Sequence, residues 1–342
     1  MTEQPAGVAW PTDEWPIGPP TVEGLDDLMA GCFDDLAQGP TLAVAVVQGG
    51  VLRAERYADG VTADTTLPSW SMAKSIQHAL YGIVIGDGRV ALTDRVVDVA
   101  PGAVPQWSDP GDPRRAITID DLLHFRDGLA WTEDYLDDTV SDVIEMLFGS
   151  GQDDVAAYVA DRPLASPPGD PASFCYSSGT SNLLAAVLRE LYGPNDSTLD
   201  LLRDRLLVPI GMTSAQPKCD ARGTWVASSY CYATARDFLR FGLLALRDGV
   251  WDGQRLLPEG WVAHGHTMQP QSIDGDWIHG AQWWGLPGRD DLVFASGWSG
   301  QLLFVVPDAD LLVLRLATSD ATHRLAVFSQ LLRIIDAHLG HT

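Results

Sequence analysis

The fold and chemistry of this chain are decided by residues 71–88, SMAKSIQHALYGIVIGDG. Apolar residues recur there at helical spacing and Gly86-Asp87-Gly88 is a stop signal, so a helix is predicted from about Ser71 to Ile85. Ser71 and Lys74 lie three residues apart at its start, which places both side chains on one helical face. The stretch therefore predicts a hydroxyl and an amine held together at a helix N-terminus.

This S-x-x-K pair has the chemistry of an activated nucleophile. A serine hydroxyl reacts slowly until a neighbouring base takes its proton, and Lys74 can be that base if burial and the helix dipole lower its pKa. The amide of Ser71 lies in the first turn, where it is free to donate to an oxyanion. Of 22 basic residues only Lys74 and Lys218 are lysine. Since arginine does not deprotonate in proteins, the amine at position 74 fits a base.

Outward from this helix, the chain alternates between β-rich and helical segments. The hairpin dipeptide Gly49-Gly50 joins the first two β-rich runs. Strands are predicted at Thr41–Gln48, Val51–Tyr57, Leu292–Phe294, Leu302–Val306 and Leu311–Leu316, and helices at Val22–Leu36, from Thr234, and at Arg324–Leu339.

Strands near both ends around a helical middle predict an α/β (α+β) class, with one sheet assembled from both termini. We expect residues 1–110 and 209–342 to form a sheet domain and residues 111–208 a mainly helical domain. The active site is expected at their interface.

Composition argues against several classes of function. A net charge of −24 repels phosphate backbones, so nucleic acid is not expected as a partner. The first twenty residues lack the pattern of a signal peptide and no run is long enough to span a bilayer, so a cytoplasmic protein without a membrane partner is expected. The four cysteines, at positions 32, 175, 219 and 231, have no C-x-x-C spacing and fit reduced thiols. A homodimer is left open.

Two further motifs accompany Ser71 and Lys74. Residues 174–179, FCYSSG, precede a predicted helix and carry Tyr176 and Ser178. Residues 296–301, SGWSGQ, precede the β-rich run LLFVVP. Alone, the first fits a tyrosine at a turn and the second a glycine-rich hairpin entry.

With Ser71-Met72-Ala73-Lys74, these motifs resemble the superfamily of serine β-lactamases and penicillin-binding proteins. Within it, the chain from about residue 40 onward looks like the class C-related subgroup of 6-aminohexanoate-dimer hydrolases and family VIII-type esterases. The resemblance implies a β-lactamase/transpeptidase-like fold with an antiparallel sheet flanked by helices. It implies that Ser71 is the nucleophile, that Tyr176 works with Lys74, and that the amides of Ser71 and Gln301 hold the oxyanion. The substrate-binding residues it implies are Tyr135, Ser178, Trp298, Ser299 and Gly300.

The chain departs from the superfamily at two motif positions. The third motif offers Trp298 and Ser299 and lacks the lysine that helps β-lactamases hold the substrate carboxylate. Ser178 stands where asparagine is usual. Both departures favour a small carboxylic ester or linear amide as substrate. A β-lactamase, a D-amino-acid-specific peptidase and a non-catalytic penicillin-binding-like sensor are the alternatives.

An acidic segment follows the predicted helix near residue 120. It contains Glu133-Asp134-Tyr135, Asp137 and Asp138. The resemblance implies a loop that closes over substrate, with Tyr135 positioning the scissile amide, and an acidic rim would favour a protonated amine. A solvated loop explains the same charges.

No metal or organic cofactor is expected. His264-Gly265-His266 has no third ligand at a recognisable spacing. His78 lies one helical turn beyond Lys74, and we expect it to be a packed polar residue of the core.

Overall fold

The computed structural model describes residues 2–135, 140–194 and 196–340, and one large sheet dominates it. The strands are β1 (Thr41–Gln48), β2 (Val51–Tyr57), β3 (Leu67–Pro68), β4 (Gln216–Pro217), β5 (Cys231–Ala233), β6 (Val250–Trp251), β7 (Gln254–Arg255), β8 (Gln269–Asp274), β9 (Trp277–His279), β10 (Trp284–Leu286), β11 (Arg289–Gly297), β12 (Gln301–Val306) and β13 (Leu311–Ala317). Eight of them form an antiparallel sheet in the order β2-β1-β13-β12-β11-β10-β9-β8.

Helices cover both faces of this sheet. They are α1 (Leu25–Gly31), α2 (Asp35–Gln38), α3 (Met72–Gly86), α4 (Val96–Val99), α5 (Ile119–Leu123), α6 (Asp142–Phe148), α7 (Val155–Ala160), α8 (Ser178–Tyr192), α9 (Asp196–Leu202), α10 (Ala235–Leu246), α11 (Trp261–His266) and α12 (Arg324–Leu339). None in the described part of the chain has the length and apolar character needed to cross a membrane.

The apolar run of β1 explains why both faces are covered. Ala43, Ala45 and Val47 pack into one core, and Val44 and Val46 into another on the opposite face. Helix α10 packs against β1, β12 and β13 on the first side. Helix α12 packs with α1 and β13 on the second side. Strand β1 is therefore a central strand with no exposed face.

The sheet joins the two ends of the chain, as the sequence predicts. Strand β1 pairs with β13 from Thr41 opposite Ala317 to Gln48 opposite Leu311. The predicted hairpin turn is confirmed, because Gly49 and Gly50 adopt φ angles of 64° and 71° between β1 and β2. The expected antiparallel sheet with flanking helices is therefore confirmed.

The helical middle shares its core with the first sheet face. Apolar residues of α5, α7, α8 and α9 belong to the same buried cluster as α3 and α10. The single helix expected over Val22–Leu36 is instead two short helices, broken after Gly31. Strands β8, β9 and β10, which the sequence pattern did not predict, extend the sheet beyond β11.

Candidate active site

Ser71 is held at the start of α3 by the small sheet that joins β3 to β5. Strand β3 pairs with β5, and the Ser69 hydroxyl donates to the carbonyl of Ser229 just before β5. Trp70 adopts a left-handed φ of 43°, a conformation rare for a bulky residue. The following amides donate along the helix start, whereas no described residue accepts a hydrogen bond from the amide of Ser71. This amide is therefore available to an oxyanion.

Lys74 lies beneath Ser71 and is only 2% exposed. Its Nζ donates to Ser71 Oγ at 2.8 Å, to Ser178 Oγ at 3.0 Å and to the carbonyl of Ser228 at 2.9 Å. All three acceptors are neutral oxygens. Burial lowers the pKa of Lys74 to about 8, and the charge of Glu133 partly opposes this by raising it. The amine is therefore available as a base near neutral pH.

Tyr176 lines the same cavity as Ser71. Its ring centroid is 5.0 Å from Lys74 Nζ. Burial raises the pKa of Tyr176 well above its usual value, and the negative charge of Glu133 raises it further. The resemblance implies that Tyr176 works with Lys74, and the structure brings both residues close to Ser71. With so high a pKa, Tyr176 is a phenol and Lys74 the stronger candidate for the base.

Glu133 is the residue that sequence reasoning missed. Its carboxylate accepts hydrogen bonds from Trp131 Nε1 and Tyr135 OH, each at 2.6 Å. It also accepts from the amide of Ser178 at 2.9 Å and from Ser178 Oγ at 2.6 Å. The run of acidic residues in the sequence does not indicate that one of them points inward. The one available signal is that Glu133 lies two residues from both Trp131 and Tyr135. The predicted loop members Asp137 and Asp138 lie outside the described residues.

The third motif lies beside Ser71. Gly297 ends β11, and a Cβ added there would lie 3.1 Å from the Ser71 amide nitrogen and inside contact distance of the Ser69 carbonyl oxygen. Trp298 is 37% exposed and stacks on Tyr135 with ring centroids 4.3 Å apart. Ser299 is left-handed at φ 63°. The motif therefore turns sharply beside Ser71.

Gln301, whose amide the resemblance implies as an oxyanion donor, is the first residue of β12, and that role of its amide stays a prediction. It is completely buried and does not line the cavity at Ser71. Its side chain donates to the carbonyls of Trp298 and Ala317 and accepts from the amide of Ala317. Gln301 thereby ties the third motif to β13, and Gly297 is the motif residue whose backbone lies against Ser71.

A cavity of about 190 Å³ opens in front of Ser71. Most of the predicted site residues line it: Ser71, Tyr135, Tyr176, Trp298, Ser299 and Gly300. Lys74 and Ser178 lie beneath it, fully buried. The far wall is apolar and aromatic, formed by Trp277, Trp284, Leu302 and Phe328, with Asp274, Asp320 and Arg324 as its charged members. A buried amine, a serine hydroxyl and a largely apolar cavity therefore meet at one place.

The close approach of Gly297 gives a testable prediction. Its φ of −136° suits any residue, so only space forbids a side chain. We expect Gly297→Ala to displace β11 from Ser71 and to lower turnover by about 100-fold, as a shift of about 1 Å in a catalytic group does. Gly111→Ala is the control, since its Cβ would meet no atom closer than 3.4 Å. Equal kcat/KM for the two variants would refute the close approach.

A second polar cluster lies where α3, α5 and α11 meet. His264 Nε2 and His124 Nδ1 lie 3.2 and 3.0 Å from Asp120 Oδ1, and His78 Nε2 lies 3.2 Å from His264 Nδ1. His78 is buried, as predicted. The sequence spacing did not reveal that Asp120 and His124 would join His264, with their potential ligand atoms within 4.8 Å. Arg126 already pairs with Asp120 at 2.8 Å, and hydrogen bonds account for the cluster. We therefore still predict that this cluster binds no metal ion.

The chain is similar in sequence to a known protein family and to several known proteins. A family model described as Beta-lactamase matches residues 29–333. Protein Rv1367c of Mycobacterium tuberculosis is 28% identical over 236 residues, and the match spans 57% of the length of that relative and 57% of this chain. The 6-aminohexanoate-dimer hydrolase of Paenarthrobacter ureafaciens is 24% identical over 293 residues, covering 81% of this chain and 72% of the relative.

The fold has solved counterparts as well. A Bacillus anthracis protein, named provisionally as a 6-aminohexanoate-dimer hydrolase, matches with a TM-score of 0.79 at 21% identity, over 99% of this chain and 90% of that one. At this identity the likeness shows the fold alone. The family model covers the sheet, the helical middle and all three motifs, and the chain belongs to the Beta-lactamase family.

Proposed function

We propose that the chain is a serine hydrolase that cleaves a carboxylic ester or a linear amide through an acyl-enzyme on Ser71. The observation that carries the proposal is the buried amine of Lys74, 2.8 Å from Ser71 Oγ and surrounded by neutral oxygens. An amine with its pKa lowered to about 8 is partly unprotonated near neutral pH and can take the proton of Ser71.

Acylation begins when Ser71 Oγ attacks the substrate carbonyl and its proton passes to Lys74 Nζ. The carbonyl oxygen becomes an oxyanion, which we assign to the amides of Ser71 and Trp298. Trp298 follows Gly297, whose backbone lies against Ser71, and it lines the cavity. The amide of Gln301, the donor implied by the resemblance, is the alternative to that of Trp298, and the Gln301 side chain holds this turn in place.

Collapse of the tetrahedral intermediate breaks the bond to the leaving alcohol or amine, which needs a proton. Tyr176 lines the cavity with Ser71, its ring lies 5.0 Å from Lys74 Nζ and it is a phenol, so we assign to its hydroxyl the donation of that proton while it is reprotonated from the Lys74 ammonium. Water then attacks the acyl-enzyme with Lys74 again as base, which releases the acid and regenerates Ser71. Protons balance over the cycle, and the route uses no group from outside the chain except water.

The walls of the cavity support an ester or a linear amide over a β-lactam. The third motif places Gly297 and Trp298, and no ammonium, beside Ser71. The aromatic wall fits an uncharged or extended acyl group. The relative from Paenarthrobacter ureafaciens bears the name of an enzyme for a linear amide dimer, which supports the same substrate class.

The lowered pKa of Lys74 predicts the pH dependence of the reaction. The base must be unprotonated, so kcat/KM is expected to rise as pH increases through about 8 and to level off above it. The profile is measured from pH 6 to 10 on an uncharged ester, with spontaneous hydrolysis subtracted. A kcat/KM that falls over this range would contradict Lys74 as the base.

A substrate panel tests the proposed class. Purified protein is assayed with a short p-nitrophenyl ester, a linear 6-aminohexanoate dimer and a penicillin. We expect the ester or the linear amide to give the highest kcat/KM. A higher value for penicillin would favour a β-lactamase, and a folded protein that turns over none of the three would overturn the proposal in favour of a sensor.

A further inference from the structure

The carboxylate of Glu133 accepts hydrogen bonds from three residues of the site, Trp131, Tyr135 and Ser178. Oxygen Oε1 accepts from Tyr135 OH and Ser178 Oγ, and Oε2 accepts from Trp131 Nε1 and the Ser178 amide. All four groups donate, so the carboxyl group acts only as an acceptor, which is the behaviour of its ionised form. We infer that Glu133 is a positioning residue that holds Ser178 and, through it, stabilises the Lys74 ammonium formed during acylation.

Ser178 links Lys74 to Glu133 through its hydroxyl. Lys74 Nζ donates to Ser178 Oγ at 3.0 Å, and Ser178 Oγ in turn donates to Glu133 at 2.6 Å. The chain of groups from Ser71 through Lys74 and Ser178 to Glu133 follows the logic of a nucleophile, a base and a third group that orients the base. The Ser178 hydroxyl separates the amine of Lys74 from the carboxylate of Glu133, so Lys74 can be unprotonated before the reaction starts. When Lys74 becomes an ammonium during acylation, the nearby negative charge of Glu133 stabilises it.

Glu133 also reaches the wall of the cavity. Tyr135, which donates to Glu133, stacks against Trp298 at 4.3 Å between ring centroids. Burial and the charge of Glu133 raise the pKa of Tyr135 well above its usual value, so it stays a donor. Loss of Glu133 is therefore expected to disturb the base and the cavity wall together.

Other titratable groups face this network from neighbouring elements. His279 of β9 senses the charge of Lys74, and burial lowers its pKa to about 3, so it is neutral over the working range. Tyr176 stays protonated. Burial raises the pKa of Asp274 at the cavity, and the negative charge of Glu133 also raises it. The charge that raises the pKa of Lys74 is that of Glu133.

This inference rests on the proposed function, but the chain allows a test that does not depend on turnover. Lys74 and Lys218 are the only lysines, so protein grown with lysine labelled with ¹³C at Cε gives two signals to follow through a pH titration. Lys218→Arg assigns them. In Glu133→Gln we expect the Lys74 midpoint to fall by about 1 pH unit, since a facing opposite charge raises the pKa of an amine by about that much or more. The Lys218 signal should titrate alike in both proteins.

Two further variants complete the test. Ser178→Ala removes the bridging hydroxyl without altering Glu133 and should lower the Lys74 midpoint too, which keeps the test valid if Glu133→Gln folds poorly. Glu145→Gln is the matched control, because in the described contacts the carboxylate of Glu145 accepts hydrogen bonds only from Ser150, and the Lys74 midpoint of this variant should equal that of wild type.

The outcomes separate this inference from the proposed function. An unchanged Lys74 midpoint in both Glu133→Gln and Ser178→Ala would overturn the role of Glu133, even if wild type hydrolyses esters. A lowered midpoint would support it, even if no donor in the substrate panel reacts. When turnover is present, the acid limb of kcat/KM should move by the same amount as the midpoint, which a merely structural glutamate would not cause.

Discussion

Ser71→Ala is expected to lower kcat/KM on the best ester or amide by about 10⁴-fold or more, as loss of a serine nucleophile does in other hydrolases. The reason is that Ser71 Oγ accepts a hydrogen bond from Lys74 Nζ and lies in the cavity beside Tyr176. The amides around the cavity remain in the variant, so weak residual hydrolysis by bound water is allowed. The fold should persist, because the change removes one partly exposed hydroxyl.

Ser75→Ala is the matched control for that experiment. Ser75 lies one helical turn further along α3, and its hydroxyl donates to the carbonyl of Gln282 at 2.7 Å, away from the cavity. Its kcat/KM should stay near that of wild type when both are measured on the same ester. Turnover that survives in Ser71→Ala at a wild-type level would show that another residue is the nucleophile.

Lys74→Arg is expected to lower turnover by about 10³-fold or more, although it keeps a positive charge at the site. A guanidinium does not deprotonate in proteins, so it cannot accept the proton of Ser71. Lys74→Met removes the charge altogether and should fail to the same extent, because the base is absent. Both are assayed by kcat/KM and by the rate of acyl-enzyme formation.

Lys218→Arg is the control for the lysine variants, since it makes the same change at the only other lysine of the chain. Its activity should match wild type. Near-full turnover by Lys74→Arg would show that the Lys74 amine is not the base, and the proposed mechanism would then have to assign that part to another group.

The elements predicted well from sequence are those whose pattern is purely local. The run TLAVAVVQ, the Gly49-Gly50 turn and the amphipathic C-terminal segment became β1, the hairpin and α12 with the predicted bounds. The continuous apolar run decides β1, the positive φ of two glycines decides the turn, and helical spacing of apolar residues decides α12. The structure also brings Ser71, Lys74 and Tyr176 together, and their catalytic roles stay a prediction. A lysine three residues after a serine has a chemical meaning without any tertiary context.

The elements that were missed depend on contacts between distant segments. Glu133 stands in an acidic run, and only its packing against Ser178, 45 residues away, turns it inward. The motif also did not predict that the buried side chain of Gln301 is bonded to Ala317 on the neighbouring strand. Strands β9 and β10 have three residues each, too short for an alternating pattern to reveal them.

The acyl-enzyme on Ser71 is tested most directly by intact-protein mass after an acid quench, followed by peptide mapping. Wild type is mixed with the best ester for a few turnovers and stopped with acid, which protonates Lys74 and preserves an ester on serine. The proposed mechanism predicts a mass increment equal to the acyl group, located on the peptide that contains Ser71. Turnover with an increment on a different residue, or with none at any quench time, would contradict it.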